Sequence, residues 1–170
     1  MSLDDLGNYS DILSIPLALI GIILVVRQLN LARVESEKEH LRRQKEMTLE
    51  SYNAIRSDLR RAMKSVRNAL ELEDMFAPFT NEHLEKILQD KKLRHDVIKM
   101  ISYMNKFGVG VKHDVFNIHL LNDLAGKLFI ETYRQFKPYI DYVRKDSRDF
   151  YKDYEKLVKE LIKIQKEDKY

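Results

Sequence analysis

Residues 12–26 read ILSIPLALIGIILVV, an apolar block without a charge in a chain of which 34% is charged. A helix that is apolar on every side has no place on the outside of a water-soluble domain. Tyr9 on one side and Leu29 and Leu31 on the other extend the block toward the roughly 20 residues that span a bilayer. We therefore predict a transmembrane helix over residues 12–31.

A signal peptide and a buried core helix are the two other interpretations of the block. A cleaved signal peptide would begin with basic residues, whereas residues 1–11 hold Asp4, Asp5 and Asp11 and no Lys or Arg. A buried core helix stays open as an alternative, because residues 12–26 alone are short for a membrane span.

The charges that flank the block predict its orientation. Residues 27–45 contain six basic and three acidic side chains, whereas all charged side chains in residues 1–11 are acidic. Basic segments stay on the cytoplasmic side of a membrane. We expect a single-pass membrane protein, with residues 1–11 outside and the rest of the chain in the cytoplasm. The absence of cysteine agrees with a reducing compartment.

Small and polar residues recur on one face of the predicted membrane helix. Small side chains let two helix backbones approach closely in lipid, and an amide can bond to its copy in a neighbouring subunit. An apolar seven-residue period continues this face beyond the block. We predict a homo-oligomer, with an interface or pore formed by Ser14, Ala18, Gly21, Gln28, Val34 and Leu41. The alternative is a lone anchor that contains small residues by chance.

Glycine and proline are scarce in the remainder, with no Gly between Gly21 and Gly108 and no Pro between Pro16 and Pro78. This composition predicts an all-α fold, in which the transmembrane helix continues into a cytoplasmic bundle of four to five helices. We expect a charged stalk over residues 32–51 and the bundle over residues 52–170.

Capping residues and glycines predict the later helix boundaries. We expect the first helix to end by residues 76–78, and a second over residues 82–89 to be capped by Thr80 or Asn81. A third helix, over residues 92–107, should stop at Gly108. A fourth should break or kink at Pro138. The last should be capped by Asp146 or Ser147 and should bury Phe150.

Catalytic motifs are weak in this sequence. Cysteine chemistry is excluded by composition, and the cluster of His113, Asp114, His119 and Asp123 is better explained by helix capping than by a metal. Arg33 and His40 satisfy the loose Arg–His pattern of HEPN ribonucleases, but 12 Arg and 5 His predict about one such pair by chance. We expect that the protein is not an enzyme and binds no cofactor. The alternative is a ribonuclease.

A row of basic side chains marks one edge of the first cytoplasmic helix. Asp58 is the only acid between residues 54 and 70, beside Arg56, Arg60, Lys64 and Arg67. Such an edge could hold RNA or anionic lipid through phosphate contacts. A solvated face and a docking edge for acidic helices are the alternatives.

Three segments together carry a family resemblance. They are YNAIRSDL at residues 52–59, NKFGVGV at residues 105–111 followed by Phe116, and YRQFKPYI at residues 133–140. With the single N-terminal membrane segment, they resemble a bacterial family of membrane-anchored helical proteins of unknown function.

The layout is also similar to the transmembrane accessory proteins encoded beside type VI-B CRISPR effectors, which are divergent HEPN-like helical domains. That resemblance implies a ring-like oligomer with a pore that strengthens antiphage defence, and RNA or a CRISPR effector protein as a partner. Residues 41–170 lack a HEPN-type Arg–His pair, which argues against nuclease activity but not against a scaffold or pore.

Overall fold

The computed structural model describes residues 3–74 and 76–167, with side chains from residue 18 onward. These residues form five helices and no strand, so the predicted all-α class is confirmed. The helices are α1 Leu3–Leu70, α2 Asn81–Gln89, α3 Lys91–Lys112, α4 Ile118–Val143 and α5 Lys152–Glu167. The chain divides into two compact units, Met1–Arg42 and Arg43–Tyr170.

The first unit consists of the N-terminal part of α1. Its large apolar side chains from Leu19 to Leu31 are 51–65% exposed. Across the side chains that the structure describes, no helical stretch is both long and apolar enough to cross a membrane. The predicted transmembrane helix over residues 12–31 therefore gains no support here. Arg27, Gln28 and Asn30 interrupt the apolar run, and residues 12–17 lie outside the described side chains.

The second unit is a helical bundle with one apolar core. The C-terminal part of α1 contributes buried side chains at three- and four-residue spacing, namely Ile55, Leu59, Ala62, Val66 and Leu70. This spacing places them on one face of the helix, toward the apolar faces of the other helices. The core thereby fixes which edges of α1 are left for solvent.

Aromatic rings occupy the centre of the bundle. Phe107 of α3 meets Phe129 of α4 edge-to-face with ring centres 5.5 Å apart, and Phe129 meets Tyr154 of α5 at 6.2 Å. The buried Tyr154 hydroxyl donates a hydrogen bond of 2.7 Å to the carbonyl oxygen of Phe129. These contacts connect α3, α4 and α5 through rings whose edges and faces attract each other.

Side-chain caps set the starts of three helices. Thr80 caps α2, as predicted, and its backbone amide donates to His83 Nδ1 while its hydroxyl accepts from the His83 amide. Asp90 caps α3 and Asn117 caps α4. Each cap satisfies amide groups that have no partner within the helix.

The predicted stop of the third helix at Gly108 is wrong, because α3 continues to Lys112. The glycines serve close packing instead. A Cβ on Gly108 would lie 2.8 Å from the backbone nitrogen of Tyr154 and closer still to the backbone of Asp153. A Cβ on Gly110 would overlap the ring of Phe116. Glycine therefore lets two other segments touch the backbone of α3.

Two further boundary predictions are wrong. Helix α4 runs through Pro138 to Val143, and its backbone leaves helical geometry at Ala125 instead. Helix α5 begins at Lys152, later than a cap at residues 146–147 would place it, and Phe150 before it is 47% exposed rather than buried. A proline removes one hydrogen bond and crowds the preceding turn, but the buried Phe136, Tyr139 and Ile140 around Pro138 pack α4 into the core and the helix continues.

Candidate binding groove

The basic edge of α1 follows from the position of its core residues. Ile55, Leu59 and Met63 are each followed by a cation, at Arg56, Arg60 and Lys64. Successive residues of a helix turn by about 100°, so each cation emerges beside the apolar stripe and remains exposed. The result is an edge on which charge lies directly next to apolar surface.

This edge forms one wall of a groove of about 500 Å³, with Leu128 of α4 on the other side. Cationic and amide side chains line it, together with an apolar floor of leucine, methionine and tyrosine. The lining residues are Tyr52, Arg56, Leu59, Arg60, Met63, Lys64, Arg67, Asn68 and Leu128. The four predicted basic residues are thus brought together along one groove.

Three of these cations have no acidic partner among the described residues. In the described part of the chain, Arg56, Arg60 and Lys64 make no ion pair with a carboxylate and no side-chain hydrogen bond. Acids three or four residues away on the same helix face would neutralise such an edge. Here the positive charge stays available beside an apolar surface.

Arg67 differs from the other three cations. Its guanidinium donates to the carbonyl oxygens of Leu72 at 3.3 Å and Glu73 at 3.4 Å, just beyond the end of α1. These carbonyls lie where the negative end of the helix dipole attracts a cation. Arg67 therefore holds the connection after α1 in place while its charge still faces the groove.

The one acid of the basic edge is engaged elsewhere. The Asp58 carboxylate accepts hydrogen bonds from Lys99 of α3 at 3.0 Å and from the Tyr103 hydroxyl at 3.3 Å. The hydrogen bond from Lys99 lowers the pKa of Asp58, and the same bond raises the pKa of Lys99. Asp58 thus stays ionised and paired with α3, where it joins α1 to the bundle.

The predicted oligomer residues lie elsewhere in the chain. Ala18, Gly21, Gln28, Val34 and Leu41 are all exposed, and Gly21 has no neighbour within 4 Å of a Cβ position. The side chain of Ser14 lies outside the described residues. Their role in an interface stays a prediction.

The other candidate sites do not assemble in the described residues. No group of three or more His, Cys, Asp or Glu side chains there could hold a metal ion. Arg33 of the HEPN-like pair forms an exposed ion pair with Glu37 at 3.1 Å. Neither Arg33 nor His40 lines the groove.

Sequence reasoning missed the apolar half of the groove. Tyr52, Leu59 and Met63 belong to the periodic apolar pattern of α1 and are adjacent to the cations in sequence. Leu128 comes from α4, and only the packing of α4 against α1 places it opposite them. A pattern along one helix cannot reveal a residue that a second helix contributes.

The described residues form an all-α protein, and its helical bundle carries a groove with a basic edge and an apolar floor. Residues 15–161 match DUF4760, a domain of unknown function, and the chain belongs to that family. No curated protein and no solved structure matches the chain. The predicted membership in a family of unknown function is confirmed, and the CRISPR-accessory resemblance stays a proposal.

Proposed function

We propose that this protein is an oligomeric membrane protein that acts as a pore-forming accessory or effector in CRISPR-linked antiphage defence. Residues 12–31 are its single anchor in the bacterial inner membrane, and the helical bundle lies in the cytoplasm. Its action depends on self-association within the bilayer and on no enzymatic reaction.

The observation that carries the proposal is the exposed apolar surface of α1. Between residues 19 and 26 every position is apolar, and the large side chains among them are at least 51% exposed. Because each residue turns the helix by about 100°, these side chains point in all directions. A single partner helix covers one face, whereas lipid covers all of them.

A rough magnitude supports lipid as the environment. Nine large apolar side chains between Leu19 and Leu31 are exposed in the single chain. Full burial of such a side chain is worth about 1.5–3 kcal/mol, so moving the exposed parts of all nine into hydrocarbon is favourable by about 10 kcal/mol. Arg27 can extend along the bilayer surface and keep its charge in the headgroup region.

Self-association is supported by the small residues of the same helix. Gly21 leaves open space around its Cβ position, so a second backbone can approach it closely. In lipid this close approach is a main source of helix–helix attraction. The amide of Gln28 and the apolar Val34 and Leu41 continue the proposed contact beyond the anchor.

The step from anchor to antiphage pore rests on the sequence resemblance to the CRISPR accessory proteins. The groove supports a binding role rather than catalysis, because its lining residues include no carboxylate and no histidine. A CRISPR effector protein is the partner that this resemblance implies.

The proposal is tested with full-length protein in liposomes, by crosslinking and by release of an encapsulated dye. We expect crosslinked oligomers and dye release from the unaltered chain, and a loss of both, by about tenfold, in Gly21→Leu. Ile20→Leu, one residue away, is the matched control and should behave like the unaltered chain. Monomers alone, or equal release from Gly21→Leu, would contradict the proposal.

A second candidate function is a membrane-tethered, HEPN-like domain that binds or cleaves RNA. The observation in its favour is the row of unpaired cations on α1. Replacement of Arg56, Arg60 and Lys64 by Glu should then abolish RNA retention, and unchanged retention would count against it. A membrane-bound signalling scaffold without a pore is the third possibility, and liposomes that assemble oligomers but retain their dye would favour it.

A further inference from the structure

The cations of the groove form a straight row. Arg56, Arg60 and Lys64 are four residues apart on one helix, so their backbone positions lie about 6 Å apart along the axis and extend over about 12 Å. A single anionic headgroup cannot contact all three at once. A row of anions at the same repeat can.

The floor of the groove is mainly aliphatic. Leu59, Met63 and Leu128 provide apolar surface, and Tyr52 is the only aromatic side chain among the lining residues. Proteins that hold single-stranded nucleic acid stack successive bases on several aromatic rings. Apolar grooves with methionine instead suit the apolar face of a helix, because the flexible thioether adapts to different side chains.

We propose that this groove binds an acidic amphipathic helix of a partner protein. Asp or Glu side chains at positions i, i+4 and i+8 of the partner would face the three unpaired cations, and its apolar side chains would contact the floor. From Tyr52 to Asn68 the groove follows α1 for about 24 Å, the length of a helix of about 16 residues. This inference rests on the partner protein of the proposed function and specifies the chemistry of its binding segment. It does not depend on the membrane anchor.

The surroundings of the groove favour such a partner. Asp58, the only acid on this stretch of α1, projects from another side of the helix and pairs with Lys99 and Arg61, so it neither neutralises the row nor repels an acidic helix from it. Arg67 is fixed to backbone carbonyls and adds positive charge without having to be reoriented. Opposite charges across an interface accelerate binding and exclude wrongly charged partners.

The test uses full-length protein in nanodiscs of zwitterionic lipid and a labelled synthetic helix. The probe is a peptide of about 16 residues with Glu at i, i+4 and i+8 and Leu on the adjoining face, compared with a scrambled peptide of the same composition. We expect saturable binding of the ordered peptide, at least about tenfold tighter than the scrambled one, that weakens as salt rises.

Variants locate the binding. Replacing Arg56, Arg60 and Lys64 with Glu should weaken binding of the peptide by at least about tenfold. Leu128→Gln, on α4, should weaken this binding several-fold. The matched control replaces the exposed Lys91, Lys92 and Lys106 with Glu, which changes the net charge equally outside the groove. Circular dichroism checks that each variant stays helical.

Four outcomes would overturn the inference. Equal binding of the scrambled peptide, or an equal loss in the control triple variant, would mean unspecific attraction to positive charge. Tighter binding of a single-stranded RNA, lost in the groove variant, would make the groove a nucleic-acid site. Loss of self-association in the groove variant would make it a contact between copies. The membrane anchor is tested separately, by dye release from liposomes and by fractionation.

Discussion

Asp58 and Lys99 join α1 to α3 through a charged hydrogen bond of 3.0 Å between the carboxylate and the ammonium group. This pair removes the single acid from the basic edge of α1 and leaves Arg56, Arg60 and Lys64 without a carboxylate partner in the described residues. Asp58 is two residues away from Arg56 and from Arg60, so it projects from another side of the helix and does not reduce the positive charge of the groove.

The pH dependence of stability should reveal this pair. The folded-state pKa of Asp58 is lowered, so its contribution is fully present above its unfolded pKa of about 3.9 and is lost as pH falls through the folded value. The pKa of Lys99 is raised, so its contribution is present below about 10.4 and is lost as pH rises through the folded value. The pair thus stabilises the bundle between these limits.

Chemical denaturation of Asp58→Asn at several pH values measures the effect. The variant should be less stable than the unaltered chain near neutral pH, and the difference should shrink below about pH 4. Asp123→Asn, an exposed carboxylate with no side-chain bond in the described residues, is the control. A difference for Asp58→Asn that stays constant down to pH 2 would contradict the account.

Replacing Gly108 with alanine should destabilise the bundle, although alanine favours a helix more than glycine does. Gly108→Ala places a Cβ against the backbone of Asp153 and Tyr154, which cannot rotate away, so we expect a destabilisation of about 1–3 kcal/mol. Helix propensity alone would predict a gain of about 1 kcal/mol. Thermal or urea unfolding decides between the two signs.

Gly21→Ala is the matched control for this experiment. Among the described residues, nothing apart from the surrounding backbone of its own helix lies near its Cβ position, so the substitution should leave the unfolding of the bundle unchanged. If Gly108→Ala were as harmless as Gly21→Ala, the close approach of α5 to α3 would be wrong.

Tyr154 should be the most sensitive aromatic side chain in the bundle. It is fully buried and bonded to the carbonyl of Phe129, so Tyr154→Phe should cost about 1–2 kcal/mol and Tyr154→Ala about 3–5 kcal/mol. Urea unfolding measures both. Phe150→Ala, at a ring that is 47% exposed, should change stability by about 1 kcal/mol or less. An equal cost at the two positions would contradict this core.

The local features of the fold could be predicted from sequence, whereas the long-range ones could not. Thr80 caps its helix because a hydroxyl can bond to an amide three residues on, which is a local matter. Glycine often ends a helix, so the sequence predicts a helix end at Gly108. In the fold, Gly108 instead leaves room for the backbone of α5 to contact α3. A last helix capped at residues 146–147 is predicted to bury Phe150, but α5 begins only at Lys152 and leaves Phe150 outside the core.

The same division holds for the groove. The row of cations on α1 is readable from four-residue spacing, since one helix presents all of it. The far wall of the groove depends on Leu128 of α4, and the pairing of Asp58 with Lys99 depends on α3. Both depend on residues that are distant in sequence and adjacent only after folding.

The central claim is that the apolar part of α1 resides in lipid. The most direct measurement is fractionation of bacteria that express the full-length chain, followed by an alkaline carbonate wash of the membrane pellet. The account predicts that the chain stays in the pellet and is released by detergent. Ile20→Lys with Ile23→Lys should move it to the soluble fraction, whereas the control changes Ile98→Lys and Val115→Lys should not. A chain that is soluble without detergent, with those isoleucines intact, would contradict the account.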